Sequence, residues 1–436
     1  MVHLNIDRLH GAVRAPVLGS ISFLNEVMSR HPGAISFAPG APHPDTLPGV
    51  EIQRYTDRFL DHVVARGASP AQARRLLFEY GPSRGLINDI VAEALRRDHG
   101  IDAPPESYVI TVGAQEAMLL VLRALFRSPG DVLALANPCF VGITGAARLL
   151  DIDVVAVDET ADGIDLEGLE RACEQARAAG GALRALYVAP DYSNPGGGRM
   201  TLDCRRRLLA LAAEQDLLIL EDNAYAFTAA TGAELPPLKA LDTERRVIHI
   251  GTFAKTAFPG ARVGFVIADQ SVGDASVTTA DSDATQTLAD VLATLKSMVT
   301  VNTSPLSQAV IGGLLLEHGG SLDALGHAKS ELYQRNLRLL LAALDWHLGA
   351  TAPAGISWNR PDGGFFVRVH LPVPADAALL ELSAAEYGVL WTPMRQFYLD
   401  GAGDTQIRLS CSYLDPDEIE EGVRRLTAFL TKETGQ

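Results

Sequence analysis

This sequence predicts an α/β fold: a large domain with a mainly parallel seven-stranded sheet between helices, and a smaller α+β domain formed by the N- and C-terminal segments. Three observations carry the prediction. From about residue 80 to 270, short β-branched or Leu-rich runs alternate with amphipathic stretches, as in a parallel sheet covered on both faces. The 436 residues, 47% of them hydrophobic, suffice for two or three cores of ordinary domain size. After about Ser304 the pattern changes to helices followed by two isolated strands, GGFFVRVHLP and IRLSCSY. These changes set the expected limits: residues 1–75 pack with the small domain, 76–303 form the large domain, and 304–436 form the small one.

The candidate strands are Tyr108 to Val112, Val132 to Ala136, Val154 to Val157, Ala185 to Ala189, Leu217 to Leu220, Val247 to Ile250 and Val263 to Ala268. Glu116 to Phe126 is apolar on nearly all sides and predicts a buried helix. Thr201 to Gln215 follows a Gly-rich break, with Thr201 placed to cap the next helix. Asp269 to Asp290 is rich in Ser, Thr, Asp and Ala without periodicity, and reads as a loop or lid leading into a connecting helix. No unit of 20 to 50 residues repeats, which excludes solenoids and propellers.

Composition narrows the function. A formal charge of −16, from 37 Lys and Arg against 53 Asp and Glu, repels nucleic-acid backbones and anionic lipid. The four cysteines, Cys139, Cys173, Cys204 and Cys411, form no CxxC pair, so neither a disulfide framework nor a thiolate metal site is expected. Charges interrupt the apolar stretches of the N-terminus, and no later run reaches the length that crosses a bilayer. A cytoplasmic protein with no nucleic-acid or membrane partner is expected.

Gly81-Pro82-Ser83-Arg84-Gly85 fits G-x-S-x-G, but an elbow nucleophile needs a strand before it, and the preceding ARRLLFEY reads as helical. A turn that starts a helix is the better reading. No HExxH, phosphate-loop or dinucleotide motif is present, and no metal site is expected.

The strongest signal is Gly251-Thr-Phe-Ala-Lys255-Thr-Ala-Phe-Pro-Gly-Ala-Arg262. It places one of only five lysines just beyond a buried strand, with a hydroxyl three residues before and a guanidinium seven after. Burial lowers a lysine pKa and prepares the amine for Schiff-base chemistry, while Thr252 and Arg262 can bind an anion such as phosphate. Asp222 ends the apolar run LLILED, where open α/β sheets bind ligands, and an acid there can keep a pyridine nitrogen protonated, as pyridoxal phosphate requires. Asn194-Pro195-Gly196 follows another strand, with Asn194 able to donate to a phenolate oxygen. At Thr111 to Ala117 a strand turns into a helix whose first N–H groups, at Ala114 and Gln115, can face an anion.

In this order these segments resemble the fold-type I pyridoxal-phosphate enzymes, specifically the class I/II aminotransferases and the branch handling 2-aminoadipate and kynurenine. The resemblance spans nearly the whole chain, through ISFAPGAPHPDTLP, YGPSRGLINDIVAEAL, YSNPGGGRM, LILEDNAY, GTFAKTAFPGARVGF, PDGGFFVRVHLP and IRLSCSY. It implies pyridoxal 5′-phosphate held by Lys255, with Asp222 at its ring nitrogen, Asn194 and Tyr225 at its phenolic oxygen and Phe140 stacked on its ring. It also implies a phosphate cup of Ala114, Gln115, Thr252 and Arg262, completed by Tyr80 from a second subunit of a homodimer. Gly40, Asn194 and Arg408 would hold the substrate carboxylate. Ala114 and Ala254 stand where that family usually carries hydroxyls, and the block around Pro393 to Phe397 contains an unusual Arg395. It reads first as a solvated arginine on a loop and, as the alternative, as a partner for a polar or anionic group on the substrate side chain. The implied activity is transamination between an α-amino acid and a 2-oxo acid. Elimination, replacement, cyclisation or oxidation from the same site is the alternative, and a ligand-sensing domain is a non-enzymatic one that would need a basic DNA-binding module.

Overall fold

The computed structural model describes residues 2–15, 17, 19, 26–47, 49, 51–273, 286–349 and 353–434. Its main sheet contains all seven expected strands: β1 (Tyr108–Thr111), β2 (Asp131–Asn137), β3 (Asp153–Thr160), β5 (Ala182–Val188), β6 (Leu218–Asn223), β7 (Val247–Thr252) and β8 (Gly264–Ile267). It has eight rather than seven, because a two-residue strand, β4 (Gly163–Ile164), hairpins back onto the end of β3. A pair that short has no periodicity for sequence to reveal. The strand order is β1-β8-β7-β6-β5-β2-β3-β4. Pairing is parallel from β7 through β6, β5 and β2 to β3, while β8 runs antiparallel to both of its neighbours. The central strands are buried on both faces, which is why they read as unbroken apolar runs.

Helices cover both faces. The buried helix Gly113–Leu125 follows β1, and Thr201 caps Leu202–Glu214 by accepting from the Cys204 N–H. The expected loop at 269–290 contains a short antiparallel pair, Ser271–Val272 with Gln286–Thr287, and the helix Leu288–Val299 follows directly. Positions 274–285 of that expectation lie outside the described residues. The G-x-S-x-G segment is a turn between helices, and the Ser83 hydroxyl donates to the Val301 carbonyl at 2.6 Å.

The C-terminal part builds a four-stranded antiparallel sheet in the order Ser357–Trp358, Phe366–His370, Gln406–Ser410, Thr392–Pro393. Its core includes Trp391, Leu409, Leu426 and Phe429, joined by Phe37 from the N-terminal segment. Ile35–Ser36 pairs in parallel with Val389–Leu390. Further along that segment, Tyr55 and Phe59 of helix Ile52–Ala65 pack with Ile87, Ile90 and Ile311. We propose the limits 1–75, 76–303 and 304–436 as the working division of the chain.

Candidate active site

The parallel strands end on one side of the sheet, and the loops leaving them converge there. β6 delivers Asp222, β7 delivers Thr252 and then Lys255, and the loop after β5 delivers Asn194. The small sheet adds Arg408 from Gln406–Ser410, and the N-terminal segment adds Gly40. These residues, together with Ala114, Gln115, Phe140, Tyr225 and Arg262, line one cavity of about 480 Å³, a size suited to a small molecule.

Lys255 lies deep in this cavity. Its Nζ donates to the Gly40 carbonyl and sits 6.0 Å from the centre of the Tyr225 ring. Burial, then the guanidiniums of Arg408 and Arg262, lower its pKa to about 8, against a smaller opposing pull from Asp222. Asp222 is buried too. Its Oδ2 accepts from the Tyr187 hydroxyl at 2.5 Å, whereas Oδ1 has no partner. Burial raises its pKa to about 6, although Tyr187 and His249 favour the ionised form. His249, facing Glu221 across the β6–β7 ladder, is paired with it at 2.8 Å.

Arg408 is sandwiched near the rings of Phe366 and Phe397, at 4.3 and 5.2 Å. Its guanidinium donates to Asn194 Oδ1 at 2.6 Å, the Ala38 carbonyl at 2.8 Å and the Thr392 hydroxyl at 3.3 Å, leaving Nε unpaired. Burial lowers its pKa to about 10. Burial likewise raises the Tyr225 phenol, with Arg408 pulling the other way.

The Arg262 guanidinium approaches the start of helix Gly113–Leu125. Gly113 has φ +73°, and a Cβ on it would lie 2.5 Å from an Arg262 nitrogen, so glycine there admits the guanidinium to the helix N-terminus. Gln115 is tied down, its amide donating to the Gly142 carbonyl at 2.8 Å.

Two expected site residues are not brought to the cavity. Tyr80 is 88% exposed on the surface. The Arg395 side chain is 74% exposed and pairs with Asp404 at 3.0 Å, while the next two residues, Gln396 and Phe397, face the cavity instead. Chain order placed Arg395 near the site, but the turn Arg395–Phe397 sends its first residue outward. Sequence reading also missed Tyr187, Thr392 and Gln396. A tyrosine near the end of a buried strand adjacent to that of Asp222 was a usable signal for Tyr187; the two-residue strand carrying Thr392 offered none.

His43, Asp45 and Asp415 also cluster. His43 Nδ1 accepts from the Asp45 N–H at 3.3 Å, and Nε2 lies 3.4 Å from Asp415 Oδ1 without a hydrogen bond.

Comparison with known proteins agrees with this geometry. The family model for aminotransferase class I and II matches residues 52–426. The (S)-3,5-dihydroxyphenylglycine transaminase of Amycolatopsis orientalis is 44% identical over 429 residues, spanning 98% of this chain and 95% of that one. The crystal structure of Pyrococcus horikoshii kynurenine aminotransferase, in complex with PMP, superposes with a TM-score of 0.81 at 26% identity, covering 98% of each chain. That of the alpha-aminoadipate aminotransferase of Thermus thermophilus, complexed with N-(5′-phosphopyridoxyl)-L-leucine, gives 0.77 at 29% identity over 96% of this chain and 97% of that one.

Proposed function

Because this chain belongs to the class I and II aminotransferases and moves an amino group between amino and 2-oxo acids with pyridoxal 5′-phosphate, we propose that Lys255 carries that cofactor and Arg408 receives an aromatic α-amino acid. The cavity fits the group. Asp222 Oδ1 is an unpartnered buried acceptor suited to a ring N–H, and Gly113, Ala114, Gln115, Thr252 and Arg262 make a cradle for phosphate. Asn194 and Tyr225 would hold the cofactor's phenolic oxygen, and Phe140 would stack on its ring.

The cofactor, when bound, supplies an acceptor for the amino group and for the electrons released at the substrate's α-carbon. The chain supplies the rest. Once the substrate's amine has displaced it from the cofactor, Lys255 Nζ, with its lowered pKa, would take the proton from that α-carbon and return it where the amino group is accepted. Asp222, through its unpartnered Oδ1, would keep the ring nitrogen protonated. Arg408, braced by Asn194, Ala38 and Thr392, fixes the substrate carboxylate in a water-poor site where the charge pair is strong. The observation that carries the reading is Lys255, a buried amine touching no carboxylate, in the same cavity as Arg408.

Three facts support an aromatic substrate. Met118, Phe140, Val141 and Phe397 give the cavity apolar walls. Its three cations, Lys255, Arg262 and Arg408, already have ligands under this reading, so among the described lining residues no fourth meets a side-chain carboxylate. A relative at 44% identity is named for an aryl amino acid. The test is to mix the holoenzyme with aromatic, dicarboxylic and basic amino acids and follow the cofactor spectrum. Conversion by aromatic amino acids to the amine form, restored by a 2-oxo acid, is expected. Released ammonia would point to elimination instead.

The working unit we propose is a homodimer in the cytoplasm. Exposed Tyr80 then serves the phosphate cup of the second copy, and the four buried cysteines remain free thiols. Tyr80→Phe should weaken cofactor affinity several-fold. A monomer fully active at nanomolar concentration would remove this role.

A further inference from the structure

We propose that Gln396 reads a neutral polar group, a ring hydroxyl, on the substrate's side chain; this rests on the aromatic reading above. The other polar side chains on the cavity wall have protein partners or an assigned place at cofactor or carboxylate. The Thr392 hydroxyl lies between Arg408 and the Ala38 carbonyl, Gln115 donates to Gly142, Tyr187 donates to Asp222, and Thr252 accepts from the Ala254 N–H. Gln396 is the exception. Among the described residues its amide makes no hydrogen bond, although the side chain is half-buried where the wall of this cavity borders a second one lined by Arg395 and Tyr398.

Its support is firm. The turn Arg395–Phe397 is pinned on one side by the Met394 N–H donating to the Gln406 carbonyl at 3.0 Å. On the other side the Cys139 N–H donates to the Phe397 carbonyl at 2.9 Å, tying the turn to the segment that carries Phe140. An amide on such a mount can donate to or accept from a hydroxyl without reorganising. A substrate without one covers the amide and leaves it unpaired, which turns the hydrogen bond into discrimination. An amide offers an anionic side chain no compensating charge, so the class selected is hydroxylated aromatic amino acids.

The experiment measures kcat/KM of the wild-type holoenzyme and of Gln396→Leu on two pairs: phenylglycine with 3,5-dihydroxyphenylglycine, and phenylalanine with tyrosine. In the wild type, one or both hydroxylated members should lead by about five- to tenfold, the span of one neutral hydrogen bond. In Gln396→Leu that lead should fall to within twofold, with the unhydroxylated member unchanged or faster. An unchanged ratio, an absent wild-type lead, or an equal loss on both members overturns the assignment of Gln396 alone. A wild type inactive on all four but active on 2-aminoadipate overturns the aromatic reading and this inference with it. Should Gln396→Leu not retain the cofactor spectrum, the unbranched Gln396→Met is read in the same way.

Discussion

Lys255 and Lys296 are both buried amines whose pKa burial pushes down, yet their surroundings differ in one respect. Lys296 Nζ donates to Glu116 Oε2 at 2.6 Å and to the Thr300 hydroxyl at 2.8 Å, and Glu116 in turn accepts from the Val112 N–H. Among the described residues Lys255 is in contact only with a backbone carbonyl and near an aromatic ring, and the repulsion of two guanidiniums outweighs the pull of the more distant Asp222. Lys329, whose pKa burial also lowers to about 8, donates to the Ala257 carbonyl and has no carboxylate partner among the described residues, but it does not line the cavity. A buried lysine paired with a carboxylate holds the structure together, and one without is available for chemistry only where a substrate can reach it. Lys239, paired with Asp269 at 2.6 Å, falls on the structural side.

The sharpest break of this comparison is Lys255→Ala. It should lower turnover at least a thousandfold, on the order of a lost general base, while cofactor still binds without covalent attachment. Borohydride should label Lys255 in the wild type; label at Lys239 or Lys296 would reverse the comparison. Lys296→Met should do the opposite, leaving Glu116 buried without its counter-charge, with only the Val112 N–H and the Thr300 hydroxyl to hold it, at a cost of about 3 kcal/mol in denaturant unfolding. Activity per folded molecule should stay within twofold.

Arg408→Ala sharpens the picture on the substrate side. It should raise KM for every α-amino acid by about 10- to 100-fold, the range of a charge-assisted hydrogen bond, with cofactor affinity changed much less. Equal losses in both would place Arg408 in the cofactor's hold.

Asp222 makes the comparison testable by pH in the cofactor-free protein. Its folded pKa, raised to about 6 from an ordinary 3.8, means that the folded state binds more protons than the unfolded one between those values. Wild-type stability should therefore fall, relative to Asp222→Asn, as pH rises from about 4 to about 6, by up to about 3 kcal/mol. Urea titrations of both proteins at the two pH values measure it, and parallel curves would show that Asp222 is not strained by burial. The smallest effect is expected for Arg395→Gly. An exposed ion pair contributes about 0–1 kcal/mol, so rates on acidic, neutral and basic amino acids should change less than twofold. A selective loss with one of them would return Arg395 to the substrate pocket.

Most of the fold was legible because buried parallel strands and their helices leave strong local periodicities. The eighth strand was not, being two residues long. Lys255, Asp222 and Asn194 were legible because each follows a recognisable apolar strand. Tyr187 and Gln396 were not, since their importance comes from what lies across the cavity.

Chain order and residue type alone determined the α/β class, the amine and acid at the strand ends, and a resemblance specific enough to name the cofactor. Only the tertiary structure decided which buried lysine lines the cavity without a carboxylate partner, that Arg395 faces water, and that Gln396 lies at the cavity wall. The physical reason is distance in sequence: Lys296 meets a glutamate 180 residues away, and Arg408 meets Asn194 across 214. Local patterning sets strands and helices, but the pairing that makes a buried charge inert or reactive is settled only when those elements pack.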